Sequence, residues 1–252
     1  MKSEVVLIAK FYRPQDVFEW IRHYRRLGFD HIMIYDNDTE VANVSAIAKI
    51  FDNVSVIKLH GKINQCEIYN QHIDNNTEYD WMFFCDDDEY LWLDKNIYAD
   101  VNSFLKTIPS FVKQYSVFWQ YISYFNGEVP DNRDCRMTED CIFTAAGEYL
   151  THVKSFVHKD IRLTTARFSV PHNVDAPIFT YAGPIETPAI VRDVSHDPIK
   201  LYHYYRRSKQ EHAEKMERNR IDADGKYKDF NEQNSYEADL KYVCLDRSII
   251  GQ

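Results

Sequence analysis

No stretch of this chain approaches the roughly 18 consecutive apolar residues that a membrane-crossing helix requires. The apolar run that follows Met1, Lys2, Ser3 and Glu4 stops at Ala9, too short for a secretory leader. The expectation is a cytoplasmic protein with no membrane span. Cysteine is sparse and irregular: Cys66, Cys85, Cys135, Cys141 and Cys244 are odd in number and contain no C-x-x-C pair, so neither a disulfide framework nor a thiolate zinc site is indicated. Only 7 glycines occur in 252 residues, which argues against a glycine-rich flexible binder. Positive charge is the scarcer sign, 30 Lys and Arg against 39 Asp and Glu for a net charge of −9. Such a surface repels phosphate backbones, and nucleic acid is not an expected partner. Internal repeats and low-complexity linkers are also missing, which favours one compact domain.

Aromatics are abundant, at 15% of the chain with 18 Tyr and 15 Phe. Short β-rich runs alternate with amphipathic segments over the first hundred residues, the pattern of βαβ units around a mostly parallel sheet. Strands are expected at 5–9, 31–35, 54–59 and 81–85. Helices are expected between them: one carrying Val17, Trp20, Ile21, Tyr24 and Leu27 at helical spacing and ending at Gly28, a second over 41–51 and a third over 64–74. Beyond Leu93 the pattern loosens to a helix over 100–108, a strand over 115–121, a strand over 200–204 and a charged helix over 208–220. The last thirty residues carry no clear signal. The fold class is α/β.

The most informative feature is the run Asp86, Asp87, Asp88 and Glu89 directly after the apolar strand WMFFC. In open α/β sheets ligands bind beyond the carboxyl ends of strands. Adjacent carboxylates placed there repel one another, and a bound cation relieves that repulsion. Oxygen ligands suit Mg²⁺ or Mn²⁺ held together with substrate phosphates. The competing reading is a solvated acidic turn. A D-x-D pair at Asp86 and Asp88 fits a sugar-nucleotide transferase, which carries it after a middle strand. A phosphatase of the haloacid dehalogenase type needs its aspartate after the first strand and a small hydroxyl residue or Val where this chain has Tyr90.

Three stretches then resemble one family. EWIRHYRRLGFDHIMIYDND (19–38), WMFFCDDDEYL (81–91) and HYYRRSKQEHAEKMERNR (203–220) are similar to glycosyltransferase family 92 and its family 2-like relatives. That family has an E-W-I helix leading to a Y-D-N strand end, a W-x(4)-D-x-D-E-F segment and a late H-Y-x(3)-S-x(2)-E-x(3)-K-x(2)-R segment. QCEIYNQ (65–71) resembles its Q-x(2)-A-Y-N helix, and VKSFVHKD (153–160) with Pro171 and His172 resembles its K-S and P-x-H elements. The resemblance implies a GT-A fold and transfer of a hexose, galactose or glucose, from a UDP-sugar to a hydroxyl of a carbohydrate or glycoconjugate acceptor, with inversion. It divides the chain into a nucleotide-sugar half at 1–95, an acceptor half at 96–220 and an extension at 221–252. A phosphoryl- or nucleotidyl-transferring enzyme, or a non-catalytic nucleotide-sugar-binding module, is the alternative.

The candidate residues follow. Asp86 and Asp88 are expected to hold Mn²⁺ or Mg²⁺, and the resemblance adds His203 as a third ligand, an imidazole suiting Mn²⁺. Lys10, Asp36 and Asn37 end the first two strands, where they can meet phosphate, uracil or ribose. Gln65 and Asn70 carry amides on the third helix, Asp87 lies within the acidic run, and Arg207 belongs to a cationic cluster suited to a diphosphate leaving group. Trp119 and Tyr121 offer an aromatic platform for an acceptor sugar, and His172 is a further acceptor-binding candidate. Glu139 and Asp140 resemble the E-D pair that supplies the base in family 2 enzymes, although family 92 has I-E-R-F at this place and Cys141 and Ile142 replace its E-R. Glu89, Asp175 and Glu186 are further candidates for the base. Lys154, Lys159 and Arg162 suggest a basic acceptor cleft.

Overall fold

The computed structural model describes residues 1–123, 130–132, 136–141, 143–204, 208–211, 213 and 241–244, and within them every side chain except those of Asp140 and Tyr242. Strand β1 (Ser3–Ala9) is buried at every position, as a central parallel strand covered on both faces must be. It lies between β2 (His31–Asn37) and β4 (Trp81–Cys85), parallel to both, and β2 pairs in parallel with β3 (Val54–Leu59). Helix α1 (Pro14–Arg26) has Pro14 in its first turn and buries Val17, Trp20, Ile21 and Tyr24, the apolar stripe read from the sequence. Gly28 follows it at φ 86°, and a Cβ there would come within 3.0 Å of Asp100 Cβ, so the chain turns where only glycine fits. Helix α2 (Val44–Ala48) is shorter than the expected 41–51, because Asn43 caps it by accepting from the Ala46 amide. Helix α3 (Gln65–Asn75) is capped in the same way by Asn64.

Strand β5 (Glu89–Leu93), an element that the sequence pattern does not separate from the acids, begins on the last residue of the acidic run. Helix α4 (Val101–Leu105) begins with a capping box from Asp100 and Ser103. The long strand β6 (Gln114–Ser123) and the short helix α5 (Met137–Asp140) follow, then β7 (Phe143–Ala145) and β8 (Tyr149–His158). Short strands β9 (Phe168–Val170), β10 (Asn173–Val174), β11 (Ile178–Thr180), β12 (Gly183–Ile185) and β13 (Ala189–Arg192) lead to β14 (Ile199–His203). Strand β15 (Tyr242–Cys244) pairs with β7.

Along the sheet the order is β12-β11-β6-β8-β4-β1-β2-β3. The run β4-β1-β2-β3 is the parallel unit expected from the sequence, and the fold is α/β. Strand β8 joins β4 antiparallel and β6 joins β8 antiparallel, so β6 runs with β4. Strand β14 pairs in parallel with β6 and antiparallel with β5. The carboxyl ends of β1, β2, β4, β6 and β14 therefore lie at one edge. One face of the sheet packs Phe29, Phe83, Phe104 and Phe156, with the Phe83 and Phe156 rings 4.3 Å apart; the other packs Tyr69, Phe84 and Phe168. These clusters hold the strand ends, and the loops beyond them, in fixed register.

Candidate active site

The acidic run sits at the carboxyl edge, where β4 ends. Its four residues make a turn into β5, closed by the Glu89 amide donating to the Asp86 carbonyl at 3.2 Å. In return the Asp86 amide donates to Glu89 Oε2 at 2.8 Å. Asp86 is half-buried, and both carboxylate oxygens accept: Oδ1 from the Gln65 amide at 3.1 Å and Oδ2 from Lys154 Nζ at 2.9 Å. Trp20 donates its indole N–H to the Asp86 carbonyl at 3.3 Å, so the core stripe of α1 also grips the turn. Asp87 is half-buried, whereas Asp88 and Glu89 are buried.

Strand β14 delivers His203 to the same place. His203 is opposite Glu89 in the β5 register and opposite Tyr121 in the β6 register. The next amide, of Tyr204, donates to the Asp88 carbonyl at 2.8 Å. This stitching brings His203 Nε2 to 3.7 Å from Asp88 Oδ1, with both side chains buried. The Trp119 ring backs the imidazole at a centroid distance of 4.2 Å. Two bonds of about 2.1 Å to one hard cation, at 90–120° to each other, separate their donor atoms by about 3–3.6 Å. At 3.7 Å, Asp88 and His203 lie just outside that span, so a small approach of either side chain would let both hold one ion. Among the described residues no group of three or more His, Cys, Asp or Glu side chains is gathered for a metal.

The other candidates occupy varied surroundings. Lys10, after β1, pairs with Glu40 at 2.6 Å. Asp36 is buried at the end of β2, accepts from the Thr39 amide at 3.1 Å and lies 3.8 Å from Lys58 Nζ. Asn37 beside it is half-buried, and its Oδ1 has no hydrogen-bond partner among the described residues. Gln65 is brought to the acidic turn, but Asn70 is not: its amide both donates to and accepts from the Phe168 backbone, fastening α3 to β9. Trp119 and Tyr121 are 8% and 3% exposed. The Trp119 ring packs on three imidazoles, those of His152, His172 and His203. Burial, reinforced by the charge of Lys154, lowers the His172 pKa to about 3, so this ring is neutral. Glu139 pairs with Arg136 on the surface. Asp140 ends α5, with its side chain outside the described residues, as Arg207 is entirely. Asp175 accepts from Ser169 Oγ at 2.9 Å, and Glu186 is exposed.

Lys154 is the residue the sequence reading misplaced. It does not share a basic cleft with Lys159 and Arg162. Those two lie at the opposite end of β4 and β8, where Lys159 pairs with Asp80 and Arg162 donates to the Asn76 carbonyl. Lys154 is 1% exposed, beneath the acidic turn, and donates to Asp86 Oδ2 and to the Pro171 carbonyl at 3.2 Å, with Glu89 Oε2 4.0 Å away. Burial works against its charge, but Asp86 and Glu89 outweigh this and raise its pKa above the ordinary lysine value. Burial pushes the Glu89 carboxyl well above the usual range; Lys154 opposes the rise, and Asp86 and Asp88 add to it. The close pairing is thus Lys154 with Asp86 at 2.9 Å, with Glu89 at 4.0 Å and its carboxyl shifted upward by burial. The signal of Lys154 in the sequence was the V-K-S element, a lysine next to the apolar Phe156 and Val157 of β8.

An open groove of about 590 Å³ lined by Phe18, Arg22, Arg25, Arg26, Ile50 and Phe51 lies along the later turns of α1, away from these acids. No model of a protein family matches this chain, and no curated protein sequence does. Among solved structures, S. aureus TarS in complex with UDP-GlcNAc is similar at 11% identity, over 83% of this chain and 60% of its own, with a TM-score of 0.44. The 4-diphosphocytidyl-2C-methyl-D-erythritol synthase of Anaerococcus prevotii is 12% identical over 64% of this chain and 71% of its own, with a TM-score of 0.36. A Drosophila beta-1,4-galactosyltransferase 7 in complex with manganese, UDP-Gal and xylobiose is 11% identical over 64% of this chain and 50% of its own, with a TM-score of 0.29. All three TM-scores lie below 0.5, and the functional reading rests on this chain's own residues.

Proposed function

We propose that the protein is a metal-dependent glycosyltransferase that moves a hexose from a UDP-sugar to a hydroxyl of a glycan acceptor with inversion. The observation that carries this reading is the meeting of Asp88 and His203, far apart in sequence, at 3.7 Å on the carboxyl edge of the sheet. Asp88 and His203 would hold a Mn²⁺ or Mg²⁺ ion on the protein side, with Asp86 beside them. When bound, the ion acts as a Lewis acid on a diphosphate leaving group, a contribution of several kcal/mol. Lys10, Asp36, Asn37, Gln65 and Asp87 are assigned to the nucleotide-sugar half at 1–95, with Arg207 on the diphosphate. The acceptor half at 96–220 supplies Trp119, Tyr121 and His172. In this reading Trp119 and Tyr121 act from behind the surface, fixing the rings of His203 and His172.

An inverting displacement needs a carboxylate that takes the acceptor proton on the face opposite the diphosphate. We assign that role to Asp140, with Glu139 as its neighbour. Glu89 is a poor base in this reading, because its carboxyl is fully buried, away from any acceptor.

The test is a melting panel with UDP, GDP, CMP and dTDP nucleotides and their sugars, with and without Mn²⁺. A ligand present at 100 times its dissociation constant stabilises by about 2.7 kcal/mol. A Mn²⁺-dependent shift confined to uridine nucleotides is expected. A cooperative melt that no nucleotide moves would contradict the reading, and a shift with cytidine nucleotides alone would favour nucleotidyl transfer.

A further inference from the structure

Asp86 and Glu89 face each other across the acidic turn, and a single cation lies beneath both. The Lys154 side chain rises from β8 into a site with 1% exposure and reaches Asp86 Oδ2 at 2.9 Å, the Pro171 carbonyl at 3.2 Å and Glu89 Oε2 at 4.0 Å. Its backbone is fixed on one side by pairing of Lys154 with Val117 of β6. A lysine this deep has no solvent to recover if its partners leave, so its interactions are strong and geometrically fixed. Asp86 in turn holds Gln65, and through its amide it holds Glu89. The chain of contacts ends at Asp88, whose carbonyl takes the Tyr204 amide that follows His203. The adjacent aspartates Asp86, Asp87 and Asp88 repel any diphosphate, and a buried cation beside them offsets that field without occupying the space above them.

We infer that Lys154 is a positioning residue for nucleotide-diphosphate binding, locking the turn 86–89 through Asp86 and weakening its negative field toward a diphosphate. This rests on the nucleotide-sugar reading above. Lys154 is far below the surface and touches the ligand only through the turn. Its removal therefore acts in opposite directions on the two components of the site. A bare divalent cation gains from the more negative turn, whereas a diphosphate loses. A lysine that merely supported the fold would weaken both together or neither.

The experiment compares wild type with Lys154→Met, which keeps much of the side-chain volume and removes the charge. Lys154→Met combined with Glu89→Gln, which replaces the buried carboxyl 4.0 Å from the lysine by a neutral amide, is the second variant, for use if the single variant does not fold. Titration calorimetry measures Mn²⁺ alone, then UDP at saturating Mn²⁺. The expected result is Mn²⁺ bound more tightly by about threefold to tenfold, and UDP bound more weakly by about tenfold, the size of effect one charge has at short range in a partly screened site. Amide exchange at 86–89 and at Tyr204 should accelerate in the variant while β1 and β2 remain protected. Equal UDP affinity in wild type and variant, or parallel weakening of Mn²⁺ and UDP, would overturn the role of Lys154 and leave the nucleotide-sugar reading intact. Absence of UDP binding by wild type would instead overturn that reading, and the role of Lys154 with it.

Discussion

Two buried glutamates lie at different places in this molecule, and their surroundings drive them in opposite directions. Glu4, on β1, accepts from His31 Nδ1 and His72 Nε2, each at 2.7 Å. Those histidines complete their own bonding with Ser55 Oγ and the Tyr35 hydroxyl. Burial alone would raise the Glu4 pKa, but the two histidine hydrogen bonds outweigh it and hold the carboxyl below its ordinary value. Glu89, at the carboxyl edge, accepts one backbone amide through Oε2, and its Oε1 has no partner among the described residues. Burial raises its pKa, and Asp86 and Asp88 add to the rise against the pull of Lys154. A buried charge that serves the fold is satisfied on every side. The acidic turn concentrates like charge and leaves Glu89 Oε1 without a partner among the described residues, a pattern that ligand sites often show.

The largest expected effect comes from breaking the satisfied cluster. Glu4→Ala strands two imidazole donors in the core and should cost about 3–5 kcal/mol in urea unfolding, the range for a broken buried charged network. The turn 86–89 should keep its nucleotide response in whatever fraction remains folded. A loss below 1 kcal/mol would show that the Glu4 cluster is not the fold's anchor.

Acid should act on a further, half-buried group outside both clusters. His23 is half-buried, edge-on to Tyr24 and Tyr90, and donates from Nε2 to the Leu91 carbonyl at 2.8 Å; desolvation lowers its pKa from 6.5 to about 4. The unfolded chain takes up this proton below pH 6.5 and the folded chain resists it until about pH 4. Stability is therefore lost as pH falls through that window, by about 3 kcal/mol. His23→Gln should flatten this part of the profile, measured as melting temperature against pH, and an unchanged slope would exclude His23 as its source.

The smallest effect sharpens the comparison of the glutamates. Glu4, with a lowered folded pKa, contributes stability that is present above its unfolded pKa near 4.5 and lost as pH falls through the folded value. Glu89, with a raised one, makes the folded chain hold a proton that the unfolded chain releases, so its contribution declines as pH rises above 4.5. Glu89→Gln, in chelator, should match wild type within about 1 kcal/mol at pH 5 and gain on it as pH rises. A variant that instead loses ground with rising pH would show that Glu89 is ionised in the fold.

The parallel unit was legible in the sequence because WMFFC, HIMIY and VVLIA are apolar runs bounded by polar residues and separated by helices with clear stripes. The acidic run was legible for the same reason, as charge placed directly after a buried strand. Strand β5 was hidden because its first residue is one of those acids. Lys154 was hidden because a lysine reads as surface unless its partners, here Asp86 and Glu89 some 65 residues earlier, are known to lie beneath the same turn. His203 was reached through resemblance, since nothing local distinguishes an imidazole among tyrosines. Its approach to Asp88 depends on β14 lying between β5 and β6, a long-range pairing that no local pattern encodes.

The central claim, that Asp88 and His203 form the cation-dependent part of a nucleotide-sugar site, is tested most directly by release of UDP from UDP-hexoses in the presence of Mn²⁺ and a mixed glycan acceptor pool. Wild type, Asp88→Ala and His203→Ala are compared with His23→Gln as a control, each first shown to melt cooperatively without ligand. The account predicts Mn²⁺-dependent release by wild type and His23→Gln, and a fall of at least a hundredfold in the other two with their ligand-free melting within a few degrees of wild type. Undiminished release by Asp88→Ala would contradict it.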